Sequence, residues 1–166
     1  GGGVPPPPPA SWEEAAFVVT SVALTGLVLG WVNSLLLERL QSPVLFAPLG
    51  ALMTMHFAAP NSPLGQPRNV SASHLLGALT SLVCGALSLP RPVEAVMAPA
   101  IAIGAMVKLG VTHPPAGAVS LLVAMAPETY SWHWLVFPLL TGNLLCCLFA
   151  VILNNLSRRR QFPLWW

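Results

Sequence analysis

The chain has 166 residues, 55% of them hydrophobic and 7% charged, with a net charge of +2 and a mean hydropathy of +0.72. Soluble domains carry roughly a quarter charged residues to cover their outside, so this composition excludes an ordinary soluble fold and makes lipid the outer solvent. The small net charge, split among several loops, also excludes a nucleic-acid-binding surface.

In chain order, Gly1 to Ala10 (GGGVPPPPPA) reads as an extended polyproline strut or spacer outside the bilayer. A start at Gly1 rather than Met is what removal of an organelle transit peptide, or truncation, would leave; no charged leader with an apolar core precedes the first span. Ser11 is a helix cap, with Glu13 and Glu14 in the first turn, where carboxylates favour the positive dipole end. Ala15 to Leu37 is an uncharged run of 23 residues, roughly 34 Å as a helix and long enough to cross a bilayer. Within it, Gly26-x-x-x-Gly30 forms a small-residue face for the close approach of another helix.

Val44 to Ala59 would be only about 24 Å long, short for a crossing, and holds Pro48, Gly50 and His56. Pro60, Pro63 and Pro67 act as breakers in the polar stretch Ala58 to His74. Leu75 to Leu89 predicts another short helix, with Gly77, Ser81 and Gly85 stacked every fourth residue for close packing, ended by Pro90-Arg91-Pro92. Val93 to Val111 is the next span, with Glu94 at its start and Lys108 near its end, and it breaks at Thr112-His113-Pro114-Pro115. Ala116 to Ala126 is a half-length apolar helix. Glu128 to Trp134 (ETYSWHW) has the aromatic mixture of a headgroup belt, with His133 as an interface anchor. Leu135 to Leu156 is a full span with Pro138 near its start and Asn143 inside; Arg158, Arg159 and Arg160 stop it, and FPLWW supplies further aromatic anchors. Cys84, Cys146 and Cys147 lie in apolar segments without a CxxC spacing and read as buried packing rather than a disulfide or zinc framework.

These elements define an all-α, multi-pass transmembrane helix bundle with proline-broken or re-entrant half helices. Its organisation is a Gly/Pro-rich extended segment (1–10), a membrane domain (11–157) and a basic, aromatic C-terminal tail (158–166). A weak internal repeat aligns GALMTMHFAAP, Gly50 to Pro60, with GAMVKLGVTHP, Gly104 to Pro114; two interrupted segments at corresponding places are the pattern of a transporter's midplane site. Positive charge favours the cytoplasmic-type side. With Arg39 and Arg91 inside, the N-terminus lies outside, and Arg158–Arg160 join that inner side only if Ala116–Ala126 turns back. That gives five crossings and one re-entrant piece; the alternative, six crossings, puts the arginine cluster on the other side, which the charge rule disfavours but does not forbid.

The two breaks are where chemistry is expected, because irregular backbone at membrane depth survives only in a protein-lined or water-lined place. Each break precedes a helix start, whose free N–H groups and dipole attract anions. Thr112 is a candidate cap for one start, and Asn69, Ser71 or Ser73 for the helix containing His74; two starts facing each other would make a small-anion pocket. Arg68 in the first break, His113 at the second and Lys108 five residues earlier set a positive sign, while no Glu falls in either break. Snorkelling to the interface is the competing role of Arg68 and Lys108, and tying down the loop that of His113. His56 is either neutral packing or part of a proton relay with His113.

At these residues the sequence resembles the HPP integral-membrane family. SPLGQPRN, Ser62 to Asn69, preceded by FAPLGA and FAAP, and THPPAGA, Thr112 to Ala118, carry the likeness, which covers Pro43 to Leu156. The resemblance implies a small multi-span protein, with plant chloroplast-envelope and cyanobacterial members implicated in nitrite movement. It points to Gln66, Pro67, Arg68 and Asn69 in one motif and to His113, Pro114 and Pro115 in the other. The expected function is thus a transporter or channel for a small monovalent anion, nitrite first. The substrate-binding set is Gln66, Arg68, Asn69, Thr112, His113, Pro114 and Pro115, with Lys108 as counter-charge.

The expected home is an organelle inner membrane (chloroplast envelope or thylakoid, or mitochondrial) or a bacterial inner membrane. The alternative is an accessory subunit of a larger membrane complex, docking through its Pro-rich start and aromatic tail, or a homo-oligomer. No nucleophile elbow, HExxH or paired carboxylates point to an enzyme, and neither metal nor cofactor is expected.

Overall fold

The computed structural model describes Pro5, residues 8–40 and residues 43–166. Most of the Gly/Pro-rich lead-in, and with it the expected polyproline strut, lies outside the described residues. Among the described residues all regular structure is helical: α1 (Trp12–Leu40), α2 (Pro48–Phe57), a 3-10 turn (Pro63–Gly65), α3 (Pro67–Ala86), α4 (Arg91–Leu109), α5 (Pro114–Met125), α6 (Trp132–Trp134), a π-turn (Leu135–Leu139) and α7 (Leu140–Leu156). The last three run on as one 25-residue rod. Its widened turn falls where Pro138 removes a backbone donor. Three helices, Trp12–Arg39, Arg91–Leu109 and Trp132–Leu156, are long and apolar enough to cross a membrane.

The distribution of side chains is that of a protein in lipid. Val19, Leu27, Trp31, Val96, Val107, Leu144 and Ile152 are exposed, whereas His56, Gln66, Ser73, His74, His113, Ser120 and Asn154 are completely buried. The apolar core itself lies around Leu49, Leu52, Phe57, Val119, Val123 and Trp134. Trp134 is set edge-on to Phe46 and Tyr130, with centroids 5.2 and 4.7 Å away, and its Nε1–H donates to the Pro43 carbonyl at 2.8 Å. The three cysteines are free thiols, Cys84 and Cys146 buried and Cys147 half-buried.

Direction along the bundle follows from contacts. At one end, Glu14 at the start of α1 accepts from Arg160 Nη2 at 2.9 Å; Arg160 Nη1 also donates to the Phe57 carbonyl that ends α2 at 2.7 Å. Arg68 at the start of α3 donates to the Gly110 carbonyl after α4 at 3.2 Å. At the other end, Arg91 at the start of α4 donates to the Ala124 carbonyl near the end of α5 at 3.3 Å. The chain therefore makes six passages, and both ends of the helical domain share the Arg160 end. The expected count of five, with α5 turning back, is corrected: α5 starts at the Arg68 end and finishes beside Arg91. α5 has 12 residues against the 20 of α3, which starts at the same end and packs side by side with it.

That packing is unusually close. A Cβ added at Gly77 would lie 2.4 Å from the Ala116 carbonyl oxygen. One turn on, Ser81 Oγ donates to the Ser120 carbonyl at 2.6 Å and meets the Ser120 hydroxyl at 2.8 Å. One turn earlier, the Ser73 hydroxyl donates to the Val111 carbonyl. The predicted stripe of Gly77, Ser81 and Gly85 is thus the α3 seam, although Gly85 faces the Glu94 carboxylate instead of α5. The Gly26–Gly30 face of α1, by contrast, meets no other element among the described residues within 4 Å of the added Cβ positions. Two further expectations change. Pro67 is not a breaker but the first residue of α3, which begins eight residues before Leu75; proline at that position forfeits no helical hydrogen bond. The polar residues 67–74 can be helical because their side chains find partners inside the protein.

Candidate functional site

The first break, between Phe57 and Pro67, is braced by its own side chains. Ser62 Oγ accepts from the Leu64 amide at 3.3 Å. Gln66, fully buried, donates its amide hydrogens to the carbonyls of Pro60 at 3.0 Å and Ser62 at 2.9 Å. Its Oε1 accepts from the Leu164 amide of the tail at 2.8 Å. Asn69 Nδ2 donates to Pro63 at 3.0 Å and reaches Thr112 at 3.5 Å.

The second break spans only Gly110 to His113. Gly110 ends α4 in the left-handed conformation, φ 64°, where a residue without Cβ is favoured. Its neighbours then lean on α3 and the first break. Gly110, Val111 and Thr112 give their carbonyls to Arg68, Ser73 and Asn69, and His113 Nδ1 donates to the Leu64 carbonyl at 2.7 Å.

The expected caps do not form. Gln66 and His113 occupy the N-cap positions of α3 and α5, and neither start has a side-chain cap hydrogen bond. Nor do the two starts face each other, since α3 and α5 lie parallel. The consequence for anion binding is chemical. Pro114 and Pro115 have no N–H, and the Ala116 amide is already bonded to the His113 carbonyl at 3.0 Å. The start of α5 therefore offers no free donor in its first three residues, so the expected binding of an anion by those N–H groups is corrected for this helix.

What the breaks do enclose is a group of imidazoles. His56, His74 and His113 are all completely buried. The His74 and His113 rings lie 4.9 Å apart between centroids. His74 Nδ1 contacts the Val70 carbonyl at 2.9 Å. A carbonyl only accepts, so in both His74 and His113 the hydrogen sits on Nδ1 and Nε2 carries the bare lone pair of the neutral ring. Among the described residues neither Nε2 has a partner, and neither does Asn69 Oδ1. His56 faces the backbone of Gly65 and Cys146 without closing a hydrogen bond to either; the Phe162 ring covers it at 5.1 Å. Asn143, buried on α7, also has both amide atoms unpartnered. Among the described residues no group of three His, Cys, Asp or Glu is arranged to hold a metal ion.

Of the other expected site residues, Thr112 is half-buried and Pro115 buried, while Arg68, Lys108 and Pro114 are exposed. An apolar groove of about 450 Å³ between α4 and α5, lined by Pro99, Ile103, Met106, Gly117 and Leu121, runs up to Thr112 and His113. A second opening of about 390 Å³, polar and flanked by Glu14, Arg159 and Arg160, lies over Ala58 to Ser62. His74 is the residue that sequence reasoning passed over. Its signal was the four-residue stripe Asn69, Ser73, Gly77, Ser81, Gly85, which runs unbroken through the stretch assigned to the break and marks it as helix.

A family model described as "HPP, transmembrane region" matches residues 7–163 of this chain. Two Dictyostelium discoideum proteins, each named a transmembrane protein, are also similar. One is 32% identical over 132 residues, 76% of this chain and 46% of that protein; the other is 29% identical over 171 aligned residues, 99% of this chain and 55% of that protein. The chain thus spans about half the length of these curated relatives. No solved structure matches.

Proposed function

We propose that this chain, which belongs to the HPP transmembrane family, is a transporter or channel for a small monovalent anion, with nitrite first among the candidates. The observation that carries the reading is the buried pair His74 and His113, whose Nε2 atoms lack partners among the described residues, between two breaks of a lipid-exposed bundle. An intramembrane ionisable group facing the bundle interior marks a substrate or proton pathway by default. The sign comes from the end at which the breaks open. Arg68, Lys108, Arg158, Arg159 and Arg160, five of the seven basic residues, gather there, against Glu13 and Glu14. That basic end draws anions towards the polar opening beside Arg159 and Arg160, and the positive-inside rule sets it on the cytoplasmic-type side, with the start of α1 inside rather than outside.

In this reading Arg68 attracts the anion at the surface while His113 meets it inside. An organelle or bacterial inner membrane is the proposed location. A second reading, an accessory subunit or homo-oligomer, is favoured by the bare Gly26–Gly30 face of α1, which no helix among the described residues fills.

Uptake of nitrite by liposomes containing the purified chain tests the proposal, with Arg68→Ala and His113→Ala alongside. Flux above that of empty liposomes is expected, reduced severalfold in Arg68→Ala and abolished in His113→Ala. Wild-type flux no greater than that of empty liposomes would overturn it.

A further inference from the structure

We propose that His74 and His113 form a paired-imidazole site that binds a small anion only together with a proton, so that the species held in the bundle is a weak acid. The inference rests on the anion reading above and deepens it by naming the form in which the substrate is bound.

Four observations converge. First, each ring donates its Nδ1 hydrogen to a backbone carbonyl, at 2.9 Å for His74 and 2.7 Å for His113. The neutral rings therefore present acceptors, and an acceptor repels a bare anion. Second, Asn69 adds another unpartnered acceptor, Oδ1, because its Nδ2 is held by carbonyls. Third, the donors that could have received an anion at the start of α5 are removed by Pro114, Pro115 and the Ala116 to His113 bond. Fourth, the groove reaching His113 between α4 and α5 is apolar, and an undissociated acid enters such a path at a far lower desolvation penalty than its anion.

The step balances. The acid's O–H donates to a bare Nε2; if the proton crosses, the new Nε2–H donates back to the anion's oxygen, and net charge is unchanged. On the other side of the bundle the reverse transfer releases both.

The charged and titratable groups around the pair leave this role to the rings. His56 on α2 is the third imidazole. On α3, Arg68 is exposed and bonded to Gly110; on α4, Lys108 is exposed in the last turn and Glu94 lies at the opposite end; α5 has no charged residue. From α7, the Cys146 backbone faces His56. Glu13 and Glu14, at the outer opening, are engaged by Arg159 and Arg160. Among the described residues no carboxylate lies in either break.

Calorimetric titration of the chain in lipid nanodiscs with sodium nitrite and sodium formate, in buffers of different ionisation heat, measures protons taken up per anion bound. About one proton per anion is expected, with affinity falling about tenfold for each unit rise in pH. In His74→Gln and His113→Gln the amide supplies a permanent N–H donor, so binding is expected to lose its proton uptake; thermal melting of both variants checks folding. Anion binding without proton uptake would overturn the inference, as would uptake unchanged in both variants, or binding of methylammonium in place of the anions. Liposomes with a trapped pH dye separate the two readings. Nitrite flux without acidification sinks this inference and keeps transport; proton-linked binding without flux does the reverse.

Discussion

The two breaks open at the same end of the bundle and lead into helices that both begin with proline, yet they are held in different ways. The first spans nine residues and braces itself, with Gln66, Ser62 and Asn69 bonded to its own backbone and the tail closing over it through Leu164 and Arg160. The second spans four residues, and its three carbonyls and its histidine find their partners on α3 or the first break. In the QPRN motif Gln66 and Asn69 Nδ2 act as brackets, while Asn69 Oδ1 stays unpartnered among the described residues. The HPP motif adds a further free acceptor, His113 Nε2. A motif rich in hydrogen-bonding groups is not thereby a binding site; what matters is which atoms remain unpartnered after the backbone has been satisfied.

If the second break depends on the first, the largest effects belong to the surface joining them. Gly77→Ala places a Cβ against the Ala116 carbonyl at 2.4 Å, a backbone atom that cannot swing away. A loss of about 2–3 kcal/mol in unfolding free energy is expected, read by denaturant titration in detergent, whereas Gly50→Ala, with open space around it, is expected to be neutral or slightly stabilising. Next, Gln66→Ala removes the side-chain bonds to three backbone groups, those of Pro60, Ser62 and Leu164, and is expected to cost about 2 kcal/mol. Hydrogen exchange should rise at both breaks, and protection retained at Gly110 to His113 would break the comparison. Arg160→Gln removes bonds to Phe57, Asn154 and Glu14 and the stack on Phe17. About 1–2 kcal/mol is expected, against near zero for Arg159→Gln, whose pair with Glu13 is 3.9 Å long and exposed. Smallest, Thr112→Ala should change stability by under about 0.5 kcal/mol, since its side chain makes no hydrogen bond among the described residues.

Much of the fold was legible. The apolar runs placed α1, α4, α5 and α7 within a few residues, because length and hydropathy alone decide what lipid will accept. The start of α3 was not, because the segment Pro67 to His74 is too polar to read as a membrane helix until its partners on the second break are known. The six passages were hidden for a related reason: counting arginines treats each loop separately, whereas the contacts of Arg159 and Arg160 with Glu13, Glu14 and Phe17 show that the ends meet. At the site, Arg68 and His113 drew attention by their charge and place. The loss of donors at Pro114-Pro115 was visible in the letters but gained meaning only once His113 proved to be the N-cap. His74 needed the structure, since nothing in an isolated histidine reports which of its nitrogens is free.

That free nitrogen is what the whole account turns on. Nitrogen-15 NMR of the histidine-labelled chain in lipid, without ligand at about pH 8, reads the tautomer directly. The structure predicts His74 and His113 protonated on Nδ1 with a bare Nε2, and added nitrite is expected to bring a proton onto Nε2 of one ring. Hydrogens found on Nε2 of both rings before any ligand is added would contradict it.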